Sequence, residues 1–409
     1  MKISIKFFAM AMLVVLLMVS NAATAEAQTQ GTFDSGVTWA FSSDGTLRIS
    51  GNGPMPISFH AAVPPWESVK NRINTVIIEN GVTTLPIAAF SGITTLTSIT
   101  IGNSITELPS NVLSRTGITS IIIPEQITSI NIEAFDGTTR LETVYFNAVN
   151  CADFMPAFAH PPFHNTRSPA LKTVVIGDKV LKIPNSIFSG VTALTSLTIG
   201  NSVNEIGDRS FNNCTSLTRI VIPDSVQTIG PFAFNGCTNV TSISLGRELI
   251  TIRQSAFVGT RITEITIPEN LTRLWEGSFE NSSRLRTVYF NAINCEIGGV
   301  GSPFKGSQAL ESIIFGPNVR QIPATVAFQL TSLESITIGS RVNQIGDRAF
   351  YGCIALEEII NNAARPQAMN NAMFFYDVDK SFCTLRVPAA SLAAYRAANF
   401  WKDFQIVGQ

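Results

Sequence analysis

The sequence predicts a repeat solenoid with a parallel β-sheet along one face. Three observations carry this prediction. A phrase recurs with a period of 22 to 23 residues, six apolar positions hold fixed offsets within it, and each unit opens with a two-residue alternation. In one unit the apolar residues are Leu194, Leu197, Ile199, Val203, Ile206 and Phe211, and the next repeats them as Leu217, Ile220, Ile222, Val226, Ile229 and Phe234. No unit of this size can bury such a face alone, so the units must stack.

The elements follow in chain order. Lys2 and Lys6 precede an apolar run from Phe7 to Val19 and small-residue A-x-A patterns ending at Ala25 or Ala27. Residues 1–27 therefore read as a cleavable secretory signal, too short in its apolar run to span a bilayer comfortably. No cysteine follows the run closely, which argues against a lipoprotein route. Residues 28–70 are expected to cap the first coil, with a β-hairpin turning at Asp44-Gly45.

The solenoid is expected over residues 71–382, its coils opening at Ile73, Leu96, Ile118, Leu141, Leu171, Leu194, Leu217, Val240, Ile262, Leu285, Leu310, Leu333 and Leu356. Each opening alternation reads as a short strand, and the Pro or Gly that follows, as at Pro223 and Gly200, turns the chain off the sheet. Thirteen strands at about 4.8 Å spacing give a sheet roughly 60 Å long. Two coils are oversized and begin almost identically, at Arg140–Cys151 and Arg284–Cys295, so a block of six coils reads as duplicated. Their long loops are 147–167 and 291–307. Residues 383–409 are expected to close the far end, with a short helix over the Ala-rich stretch 391–398 and the aromatic residues Phe400, Trp401 and Phe404.

The unit L-x-x-I-x-I-P-x-x-V-x-x-I-G-x-x-A-F-x-G-C, fullest at Leu217–Cys237, resembles the BspA-type leucine-rich repeat of bacterial surface proteins. The segment Thr38–Met55 with Pro64–Trp66, and the ending Leu385–Phe404, are similar to the leading and closing segments of that family. The resemblance implies a leucine-rich-repeat solenoid and an adhesin-like role in binding host matrix proteins or other microbes. It brings no catalytic motif.

Strand geometry then selects a surface. Counting each opening residue as offset 0, offsets 3 and 5 fill the core, so offsets 2 and 4 face outward. Offset 4 runs Ile77, Thr100, Ile122, Tyr145, Val175, Thr198, Val221, Ser244, Thr266, Tyr289, Ile314, Thr337 and Ile360, without one charged residue. Offset 2 is mostly Ser and Thr, interrupted by Arg219, Glu264 and Glu358. A regular sheet selects β-branched and aromatic residues on its own account. A long uncharged stripe with tyrosines at two equivalent coils also suits a docking face for a protein or glycan. The candidate partner-binding residues are Ile122, Tyr145, Val175, Val221, Tyr289 and Ile314, with the two long loops as further sources of specificity.

Other chemistries find little support. Cys214, Cys237 and Cys353 share one repeat position, which is Ile93, Thr138, Val191, Thr260, Ser282 and Thr331 elsewhere, so buried thiols are expected there. A Cys214–Cys237 bridge is sterically conceivable between adjacent coils. Cys151, Cys295 and Cys383 are unassigned. The only histidines are His60, His160 and His164, and the prolines between the last two exclude the helix that would set both on one face. Asp377-Val-Asp379 is too short for a calcium loop. No nucleophile elbow or zinc-protease pair occurs, and no catalysis, cofactor or metal is expected. Asn213, Asn239, Asn270 and Asn281 begin glycosylation sequons.

With 14% charged residues and a net charge of −1, the chain offers no basic field for nucleic acid or anionic lipid. The expectation is an exported binding protein, secreted or at the cell surface with the periplasm also open, and without membrane insertion after signal cleavage. The alternative is a structural envelope component whose uncharged face packs against itself.

Overall fold

The computed structural model describes residues 29–56, 63–154, 160–369 and 372–409. The expected signal segment lies outside the described residues, as do positions 155–159 of the first long loop. The chain is a parallel β-solenoid with a short C-terminal helix. Every coil-opening residue from Ile73 to Leu356 is followed by a strand of the main face, from Thr75–Ile78 to Glu358–Asn361.

One coil shows how the sequence makes this shape. Leu217 and Ile220 point inward, the strand Arg219–Val221 runs along the face, and Pro223 ends it. Val226 and Ile229 return to the core, and Phe234 closes the coil. A second parallel ribbon, unforeseen from the repeat, lies where Ile229 sits. Two-residue strands such as Glu205–Ile206, Thr228–Ile229 and Thr251–Ile252 pair in register there. Its apolar marks are three residues apart, which hides a strand too short to show alternation.

The third side is a ladder of turns. The backbone N–H of Phe211 donates to Ala233 (2.8 Å) and that of Phe234 to Ala256 (2.8 Å). Most coils place two residues at positive φ to make these turns. The first is usually not glycine, as at Arg209 (51°), Phe232 (54°) and Ser255 (56°). The second is mostly glycine or asparagine, as at Asn213 (59°), Gly236 (74°) and Gly259 (78°), the residues that best tolerate this conformation.

Inside, the phenylalanines form one continuous column. Rings from Phe135 through Phe163, Phe188, Phe211, Phe234, Phe257 and Phe279 to Phe304 stack at centroid distances between 4.8 and 5.8 Å. Phe163 and Phe304 come from the oversized coils, so each long excursion still returns a ring to the column. Much of the second excursion is ordered structure, since Glu296–Gly298 joins the second ribbon beside Arg273–Trp275.

The main sheet is interrupted. Ladder pairing is absent between Ser98–Thr100 and Ser120–Ile123, and between Ser242–Ser244 and Glu264–Ile267. Both breaks follow the coils of 22 residues, which have lost one residue just before the next strand, where Gly259-Thr260-Arg261 replaces Gly236-Cys237-Thr238-Asn239. A third break, after Ser196–Thr198, follows a coil of ordinary length and nothing in the structure explains it.

Both ends are closed by added strands. The hairpin of Thr38–Phe41 and Thr46–Ser50 lays its second strand parallel to Thr75–Ile78. Trp66 stacks on Phe90 at 5.7 Å beneath it. At the far end, helix Leu392–Ala397 connects two further strands of the main sheet, Thr384–Val387 and Gln405–Gly408. Tyr395 Oη donates to the Ala363 carbonyl (2.9 Å) and Trp401 Nε1 to that of Gln367 (3.1 Å), tying the cap down by buried hydrogen bonds.

Candidate recognition face

The offset-4 residues stand in one row because the parallel ladders keep them in register. Tyr145 has Ile122 and Val175 as direct cross-strand partners. Tyr289 lies between Thr266 and Ile314, and Val221 opposite Ser244. The structure thus gathers the six candidates into a trio, a pair and a single residue along one face. Ile122 is 54% exposed, Val221 47%, and Tyr145 and Tyr289 37% each. Val175 and Ile314 are half-buried.

The row does acquire charge at its ends. Arg48 pairs with Ile77 in the ladder and Arg386 with Ile360. Each arginine is held by a neighbouring glutamate, Arg48 by Glu79 (2.6 Å) and Arg386 by Glu358 (2.6 Å). Exposed pairs of this kind contribute about 0–1 kcal/mol, so they mark the limits of the stripe more than they stabilise it. Between them the row offers only methyl, hydroxyl and phenol groups, which suits recognition by shape and contact.

The described parts of the first long loop are pinned to the coils on both sides of it. Asp153 accepts from the Asn185 backbone N–H (2.9 Å) and pairs with Lys182 (2.9 Å), while Arg167 pairs with Asp136 (3.0 Å). The histidines depart from expectation. Although no helix forms, a turn stacks the His160 and His164 rings at 3.8 Å and 9°. Stacked parallel rings direct their nitrogen lone pairs within separate planes, so they do not converge on one ion. Burial, then the neighbouring His160 and Arg167, lowers the His164 pKa from 6.5 to about 4. The unfolded chain therefore takes up this proton first. The stability contributed by neutral His164 is present above pH 6.5 and declines as pH falls toward about 4. Melting temperatures of wild type and His164→Gln across that window should converge at the acid end.

The profile of the BspA type leucine rich repeat region matches residues 68–154, 162–286 and 296–382, in six copies. The chain belongs to this family. Among solved structures, a leucine-rich repeat protein from Bacteroides ovatus is 17% identical over 93% of this chain and 99% of its own, with a TM-score of 0.46. A leucine rich cell surface protein from Faecalibacterium prausnitzii is 20% identical over 88% of this chain and 100% of its own, TM-score 0.34. The pneumococcal vaccine antigen PcpA is 15% identical over 94% and 99%, TM-score 0.36. No curated protein matches. No helix among the described residues is long and apolar enough to cross a membrane.

The cysteine of the BspA-type repeat has a role here that packing arguments missed. All six cysteines are unbridged. Cys214, Cys237 and Cys353 each donate Sγ–H to a carbonyl of the preceding coil, at Phe188 (3.4 Å), Phe211 (3.3 Å) and Ala327 (3.2 Å). Thr260 and Ser282 carry hydroxyls 3.1 Å apart in the same slot. One expected occupant is corrected: Leu330 is buried there and Thr331 is exposed, because Leu330 stands 20 residues after its coil opening, as Cys214 and Cys237 do, and Thr331 stands 21 after it. Burial pushes the Cys237 and Cys353 thiols up to about 12 and Cys214 well above its ordinary value. Iodoacetamide under native conditions should leave these three unmodified by mass spectrometry, and unfolding should expose them.

The same coil carries an aromatic cluster outside the six repeat offsets. Ala327 takes the ring position and Phe328, one residue later, points outward. It stacks on Tyr351 (5.2 Å), which stacks on Tyr376 (4.9 Å). The signal was present in the sequence as a phenylalanine one place late.

Proposed function

We propose that this chain is an exported, adhesin-like recognition protein of the cell surface that engages a protein or glycan through its strand face. The supporting observation is the clustering of exposed Ile122 and Tyr145 with half-buried Val175, and of Tyr289 with half-buried Ile314, in a row that carries no charge between Arg48 and Arg386. Rigid aromatic anchors lose little conformational freedom on binding, and their uncharged surroundings release water cheaply. Family membership supports a scaffold that recognises and does not catalyse. The test is a binding array of host matrix proteins, glycans and bacterial surfaces, with surface protease shaving to locate the protein on its cell. An empty array, or protection of the protein from protease on intact cells, would count against the proposal.

A further inference from the structure

The second sheet break opens into a cleft of about 530 Å3. Its floor is Ile243 and Leu245, half-buried here although their counterparts one coil earlier, Ile220 and Ile222, are buried. The loss of one residue in this coil separates the strands and uncovers them. Around the floor stand Glu248, Glu264, Glu269 and Arg247.

The rim is acidic in effect. Arg247 is already engaged by Asp224, through Nε (3.0 Å) and Nη2 (2.7 Å). Glu269 accepts only from the neutral Asn318 amide (3.1 Å), and none of the three glutamates belongs to an ion pair among the described residues. An apolar floor beneath separate carboxylates matches a particular ligand shape: an alkyl stem ending in a cation. An ammonium on a flexible alkyl stem can lie along the apolar floor and place its charge at this carboxylate rim.

The duplication supplies an internal comparison. The first block has the same break at the equivalent place, between Ser98–Thr100 and Ser120–Ile123. There the positions of Glu248 and Glu264 are Ser104 and Ser120, and Glu125, the counterpart of Glu269, is paired with Lys179 (2.9 Å). The backbone device is shared, but the unpaired carboxylates belong to the second block alone.

We propose that the cleft between Ser242–Ser244 and Glu264–Ile267 receives a lysine side chain presented by a protein partner, an inference that rests on the recognition reading of this face. The probe is a fluorescently labelled tri-lysine peptide titrated against the purified chain by anisotropy. Saturable one-to-one binding is expected, weakened about tenfold or more by combining Glu248→Gln with Glu264→Gln. Glu125→Gln in the first block should leave it unchanged. Unaltered melting of each variant keeps folding out of the comparison. Undiminished binding by the double glutamine variant, an equal loss with Glu125→Gln, or equal binding of the acetylated peptide would overturn the assignment. Tighter binding of free spermidine would overturn the protein origin of the lysine. An array ligand without tri-lysine binding would remove this inference alone. Tri-lysine binding with an empty array would remove only the adhesin-like reading.

Discussion

Phe234→Ala is expected to cost about 3–5 kcal/mol of stability, the range for deleting a fully buried phenylalanine. The ring is packed between Phe211 at 5.2 Å and Phe257 at 5.4 Å, nearly parallel to both. Its backbone cannot move in to fill the void, because the Phe234 N–H is tied to Ala256 and its neighbours repeat that bond. Each coil of a solenoid draws its stability from the coils on either side, so a weak link near the middle also uncouples the two halves. Urea unfolding followed by circular dichroism should therefore shift and broaden, or split into two transitions. Phe328→Ala, which removes a ring outside the column, is the control and should shift the curve far less. Equal effects from the two substitutions would contradict the column's role.

Replacing both Tyr145 and Tyr289 by alanine is expected to have the largest effect on binding. Interface tyrosines that act as anchors cost about 2 kcal/mol or more when truncated, which is roughly thirtyfold in affinity for each. The two lie six coils apart, about 30 Å or more, because six strand spacings of about 4.8 Å are widened at the two sheet breaks between them. At that separation their losses add without coupling. A ligand long enough to touch both should show the product of the two single losses, whereas a short ligand should respond to one substitution only. Surface plasmon resonance with the array ligand separates these cases. Both side chains are partly exposed, so melting temperature should barely move. Retained affinity in the double variant would remove the stripe as the binding face.

Much of this architecture was legible in the sequence. The offsets of Leu217, Ile220, Ile222, Val226, Ile229 and Phe234 reproduce the buried set of their coil, because a solenoid repeats one environment and each repetition strengthens the signal. The outward row could be read for the same reason. What escaped were features that depend on deviation from the repeat. The second ribbon at Thr228–Ile229 is too short to alternate, and Phe328 stands one place past the ring offset, which Ala327 holds. The proximity of His160 and His164 came from a turn that helix-based reasoning did not consider. The cleft came from one missing residue between Gly259 and Ile262, whose consequence appears only when two strands are placed side by side.

That missing residue makes the two six-coil blocks alike in backbone and unlike in chemistry. The shortened coil stands at the same place in each, before Ile118 and before Ile262, and the sheet opens there both times. Ser104 and Ser120 stand at one opening where Glu248 and Glu264 stand at the other, so the same backbone device presents hydroxyls in the first block and carboxylates in the second.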